Sequence, residues 1–152
     1  MLPKHHILFG FILSFVLFLI FPSVNLISAG IIFLSSFLID VDHYIYYVLK
    51  KKDISLKKAI SYFLEKREKI GKFNLEKKKT FYSGFYFLHG IEILIITFLI
   101  GIFISHYFLF IFIGFFFHLF LDLLEEINKN LRLDKISVIY DFFKFRKLKF
   151  LE

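Results

Sequence analysis

The sequence predicts an all-α, polytopic membrane protein with about four transmembrane helices and a cytoplasmic amphipathic helix. Three observations carry that expectation. Apolar residues make up 58% of the 152 and mean hydropathy is +0.70, well above the apolar share of a soluble domain. Four long apolar segments stand out along the chain. All 20 Lys and Arg residues fall on one side of the arrangement if those segments cross the bilayer.

The length suits one domain, 1–152, without repeats or a low-complexity linker. The first segment, about 7–21, ends near Pro22 and has Lys4 as its basic flank, too weak a pattern for a cleaved signal peptide. The turn Pro22-Ser23-Val24-Asn25 joins it to the second, about 26–47, as a helical hairpin. The third, about 81–104, and the fourth, about 107–124, meet the roughly 20 residues that a spanning helix needs, and the Ser105-His106 turn joins them. Between spans two and three lies a basic loop, 50–80, in which Leu56, Ala59, Ile60, Phe63 and Leu64 recur at helical spacing among lysines. That pattern predicts an amphipathic helix over Ser55–Lys69 lying on the membrane surface. The tail, 129–152, mixes Phe with Lys in the same way, and its end, 144–150, also suits an edge strand.

The basic residues set the orientation. Lys4 precedes the first span, 12 follow between Lys50 and Lys79, and seven follow the last span. The two turns on the other side have none. The positive-inside rule then places both termini and the 50–80 loop in the cytoplasm of an inner-membrane, multi-pass protein. The net charge of +7 is accounted for by topology and by contact with anionic inner-leaflet headgroups. No specific nucleic-acid partner is needed to explain it. Cysteine is absent, so disulfides and thiolate metal sites are excluded.

Ionisable residues in greasy segments are costly and point to function. Asp40-Val41-Asp42-His43 ends the second span. His5 and His6 begin the first. His89 lies roughly 12 Å into the third, with Glu92 one turn deeper. His118 and Asp122, four apart and so on one helix face, lie in the last turns of the fourth. All gather at one membrane edge, with His106 alone at the other. Imidazole mixed with carboxylate suits a divalent metal, Zn first, with Mn or Fe as alternatives. The residue types suffice for one or two ions held among helices, with Asp42 available to bridge. The candidate ligands are His5, His6, Asp40, Asp42, His43, His89, His118 and Asp122. Asp42 or Glu92 is the candidate general base. Each has a plainer alternative: a helix cap at Asp40–His43, a buried bonded histidine at His89, a structural pair at His118–Asp122, or Glu92 orienting His89.

These motifs, in this order, resemble the YdjM-like (LexA-regulated, inner-membrane) family of membrane-bound metal-dependent hydrolases, which is distantly like zinc-dependent phospholipase C and P1 nuclease. The matching elements are His5 or His6, Asp40-Val41-Asp42-His43, His89 in Phe87-Leu88-His89-Gly90, and His118-Leu119-Phe120-Leu121-Asp122, across about residues 4 to 124. Leu88 and Gly90 stand where the family has Thr and Ser, and Ser83-Gly84-Phe85 replaces a His-Arg-Gly. The resemblance implies metal-assisted hydrolysis, with a phosphoester or lipid-linked substrate at the cytoplasmic leaflet expected. A non-catalytic, metal-stabilised scaffold that binds lipid or a partner is the alternative. A transporter ranks last, because few polar residues continue beyond Glu92 and Thr97.

Overall fold

A computed structural model describes residues 3–82, 84–129, 136–145 and 149–150. Parts of the expected basic tail (130–135, 146–148 and 151–152) lie outside the described residues. Among the described residues eight helices follow in order: α1 Pro3–Ile20, α2 Leu26–Leu38, α3 Val41–Lys51, α4 Leu56–Gly71, α5 Leu75–Thr80, α6 Ile91–Phe103, α7 Tyr107–Asn128 and α8 Val138–Phe145. Two-residue strands β1, Phe81–Tyr82, and β2, Lys149–Phe150, pair in parallel.

Among the described residues three helices are long and apolar enough to cross a membrane: α1, the run Leu26–Lys51 that joins α2 to α3, and α7. Helix α6 is apolar but has 13 residues, about 20 Å at 1.5 Å per residue, short of a roughly 30 Å hydrocarbon core. The expected third span, 81–104, is therefore helical only in its second half. Residues 84–90 are irregular, with a turn at 87–88 and a bend at 89–90, so His89 precedes a helix instead of riding inside one.

The bundle is polar and small inside and aromatic outside. Helix α2 packs between α1 and α7, and α6 lies against α7. On α1 the buried residues are His6, Gly10 and Ser14; on α7 they include Gly114, His118 and Asp122. Both sets repeat every four residues and so form one stripe per helix. Helix α2 meets them with Ser28, Ala29, Ile32, Ser35 and Ser36. In lipid there is no hydrophobic gain from hiding Phe or Leu, so small residues that permit close approach mark the helix contacts. Phe11, Phe15, Phe103 and Phe116 face outward accordingly. The buried hydroxyls bond back to their own helices, Ser35 to the Ile31 carbonyl at 2.7 Å and Ser36 to that of Phe33 at 2.7 Å, which leaves no unmet donor there. An apolar cluster of Val24, Ala29 and Ile32, with Leu13, Leu17, Phe110 and Ile113, closes the end opposite the ionisable residues.

Asn25 starts α2 by accepting from the Ser28 backbone N–H at 2.9 Å, as an N-cap should. Between α2 and α3 the ladder tightens to three-residue bonds, Asp40 N–H to Phe37 O and His43 N–H to Asp40 O. Asp40 makes no side-chain cap bond, so the cap alternative does not account for it. Helix α3 stops at Lys52, whose φ of 53° is left-handed. Asp53 then accepts from the Lys58 ammonium, at 2.8 Å, and from the Ser55 N–H. The Lys58 hydrogen bond, followed by the Ser55 one, holds its carboxyl below the usual range.

Glu92 takes a role the sequence did not suggest. Its carboxylate accepts from the Ser137 hydroxyl, from Val138 N–H at 2.9 Å and from Ile139 N–H at 3.2 Å. It caps α8 from another helix, and the negative charge suits the positive end of the α8 dipole. This contact with α8 is one that the general-base and His89-orienting expectations for Glu92 did not include. Glu92→Gln should speed amide exchange at Val138 and Ile139 about tenfold, from the ~1–2 kcal/mol that a cap is worth. Unchanged exchange would mean that the cap does not hold the helix in place.

Candidate metal centre

Four segments converge at one end of the bundle. The start of α1 brings His6, the α2–α3 junction brings Asp40, Asp42 and His43, the turn before α6 brings His89, and the second half of α7 brings His118 and Asp122. Of the two adjacent histidines, His6 is 1% exposed and faces the cluster, whereas His5 is only partly covered and joins neither group of potential ligands. The α1 stripe explains the choice, since His6 shares its face with Gly10 and Ser14.

The tautomers follow from the partners. His118 Nδ1 lies 2.8 Å from the Ser36 carbonyl oxygen, which can only accept, so Nδ1–H donates. His89 Nδ1 lies 2.9 Å from Asp42 Oδ2 and donates likewise. In the neutral rings the Nε2 atoms then carry lone pairs, and they face one another at 3.2 Å. Two carboxylate oxygens complete the ring around them. Asp40 Oδ1 is 3.6 Å from each Nε2. Asp122 Oδ2 is 3.8 Å from His89 Nε2 and 3.7 Å from His118 Nε2. Four acceptors this close and this buried repel unless a cation sits among them.

The spacing fits an ion. A tetrahedral site with bonds of 2.0–2.1 Å has ligand atoms about 3.3–3.4 Å apart. Five of the six distances here fall between 3.2 and 3.8 Å, near the spacing of ligand atoms around one ion. Two further observations extend the set. His6 stacks on His118, ring centres 3.8 Å apart, with Nε2 3.2 Å from Asp122 Oδ1. Yet neither His6 nitrogen has a hydrogen-bond partner, and neither has Asp40 Oδ2, although all three atoms are buried. Orphaned buried polar atoms of this kind call for an explanation, and an ion supplies one. Two groups of three result, His6–His118–Asp122 and Asp40–His43–His89, and the Nε2 pair joins them. Buried His and Asp could thus hold a metal ion, and the donor set of imidazole and carboxylate suits a divalent transition metal.

Asp42 stands behind the rings. Its oxygens accept from His43 Nδ1 at 2.8 Å, His89 Nδ1 at 2.9 Å and Leu88 N–H at 3.0 Å. That is the carboxylate–histidine arrangement which fixes a ligand's tautomer and aim. This orienting contact is one that the bridging and general-base expectations for Asp42 did not include. The backbone carbonyl of Ser36 does the same for His118. Neither Ser36 nor Leu88 was legible as part of the site, although the pair Ser35-Ser36 within an apolar helix was a hint. Tyr86 was also missed: its ring stacks on His43 at 3.8 Å, and Phe63 of α4 meets His43 edge-on at 5.5 Å.

The cluster is closed on one side and open on the other. The side chains of His6, His89 and His118 are fully covered, whereas Asp40 and His43 are about a fifth exposed. A cavity of about 180 Å³ between α6 and α7 reaches Asp122, walled by Ile91, Leu94, Phe116, Leu119 and Leu123, with Glu126 at its edge.

Fold and site together define the class: a helical bundle with a lipid-suited exterior and a buried His/Asp cluster able to hold a metal ion. No protein-family model, no curated protein and no solved structure matches the chain.

Proposed function

We propose that the protein is a membrane-embedded, metal-dependent hydrolase acting on a phosphoester or lipid-linked substrate at the cytoplasmic leaflet. The observation that carries this reading is the pair of lone-pair-bearing Nε2 atoms of His89 and His118 between Asp40 and Asp122. His6 and His43 extend the set towards a second ion, and Zn is the first choice. When bound, such an ion supplies Lewis acidity towards a phosphoryl oxygen and towards an attacking water.

The chain's own residues do the rest. Asp42 and the Ser36 carbonyl aim the two rings. Asp40 and His43 form the open side, where a headgroup would meet the cluster. The apolar cavity ending at Asp122 suits a hydrocarbon chain lying beside a polar head. The one-sided distribution of basic residues supports a four-span topology with both termini in the cytoplasm, in which the short α6 tilts little or thins the bilayer locally. The resemblance to the YdjM-like hydrolases points the same way.

The test is full-length protein in lipid discs, loaded with Zn, Mn or Fe and assayed on aryl phosphates, glycerophospholipids and isoprenoid diphosphates. Hydrolysis that needs the metal and is lost in His118→Ala is expected. A metal-loaded preparation inactive on all of them would sink the hydrolase reading. The full burial of His6, His89 and His118 would then favour the scaffold alternative, in which the ion only ties four segments together.

A further inference from the structure

Helix α4 has more apolar surface than the protein covers. Ala59, Tyr62, Phe63 and Lys66 form its inner face. Ala59 is 2% exposed and Lys66 4%. Phe63 lies against His43, and Tyr62 meets Tyr47 at 5.5 Å. The Lys66 ammonium sits over Tyr46 and Tyr62, 5.6 and 5.0 Å from the ring centres. Arg67 is ion-paired to Glu125 of α7. Adjoining that face, Leu56, Ile60 and Leu64 repeat every four residues as a second stripe, and they are 61%, 50% and 46% exposed. Ile54, just before the helix, and Leu49 of α3 are bare too, 80% and 75% exposed. The third face is polar, with Lys57, Ser61, Glu65 and Glu68.

A helix with one face on protein, one bare and apolar, and one charged is built for an interface. An apolar stripe of this length does not stay in water. Its surroundings select the occupant. It follows the end of the span Leu26–Lys51, and exposed Lys51, Lys52 and Lys57 stand around it. Lysines beside an apolar stripe fit a surface that is apolar beneath and anionic on top. We propose that the Leu56–Ile60–Leu64 stripe of α4 is seated in an anionic lipid leaflet, so that the helix bridges the bilayer surface and the His43 side of the cluster. This stands whether or not the cluster hydrolyses anything.

The chain has no cysteine, so single spin labels can be placed cleanly on the full-length protein. Ile60→Cys and Leu64→Cys report the stripe; Ser61→Cys and Glu65→Cys report the polar face. In discs containing phosphatidylglycerol, the ratio of oxygen to nickel-chelate collisions should be several-fold higher at 60 and 64 than at 61 and 65. In pure phosphatidylcholine the contrast should shrink. Equal ratios at all four positions in the anionic discs would overturn the seating. Protection of 60 and 64 from both reagents would overturn it too, because a protein face would then cover the stripe. The same contrast in both lipids would overturn the anionic leaflet as the partner.

Discussion

Full-length protein purified without chelator is expected to carry about one to two equivalents of divalent transition metal per chain, and His118→Ala to carry almost none. The reason is local. His118 contributes one of two facing Nε2 atoms, stacks on His6 and reaches Asp122, so its loss removes a donor from the centre and a wall from His6. Asp42→Asn gives a graded comparison. Asp42 touches the hydrogen-bonded side of the His89 and His43 rings, and loss of an orienting partner typically weakens a metal about 10–100-fold without abolishing the site. Asp42→Asn as empty as His118→Ala would make Asp42 a ligand instead. Metal analysis that finds nothing in the unaltered protein would end the metal reading. Chelation should also lower the thermal midpoint, since an ion present at 100 times its dissociation constant adds about 2.7 kcal/mol to the folded state.

Gly114→Leu should empty the same site from outside it. A Cβ at Gly114 would lie 2.0 Å from Ser35 Oγ, 2.7 Å from the Ile32 carbonyl oxygen and 2.9 Å from Ser36 N. Two of those are backbone atoms of α2, which cannot turn aside as a side chain can. The helices must part, and Ser36 then no longer reaches His118, one turn further along α7. Overpacking of this sort costs about 1–3 kcal/mol, with the upper end expected where backbone is struck. Gly30→Ala on α2 is the control, because a Cβ there meets nothing within 4 Å. Thermal stability and metal content measured together decide the matter. A Gly114→Leu protein with unaltered metal content would show that the Ser36–His118 contact does not hold the centre together.

Much of this protein was legible in residue order. Hydropathy marks α1, α2 and α7 because a helix facing lipid must be apolar nearly all round. The amphipathic run over Ser55–Lys69 is found as α4, Leu56–Gly71. The candidates His6, Asp40, His43, His89, His118 and Asp122 all lie in the two groups that could hold metal, because ionisable residues are rare in such segments and stand out. The start of α6 was less legible. Phe81–Leu88 is apolar enough to continue a helix, but the turn through His89 and Gly90 is set by bonds to distant partners, Asp42 and Ile136.

The sequence by itself determined the class of fold, the end of the bundle where the ionisable residues gather and the kinds of atom available there. Only the tertiary structure decided which did what. It turned His6 inward and left His5 partly exposed, set Asp42 behind the rings, and sent Glu92 to cap α8. The reason lies in the helices themselves. An apolar surface records that a helix sits in lipid but not its rotation about its own axis. That rotation is set by small residues such as Gly10, Ser36 and Gly114 at the crossings, and by hydrogen bonds between positions as far apart as Ser36 and His118, which no local pattern contains.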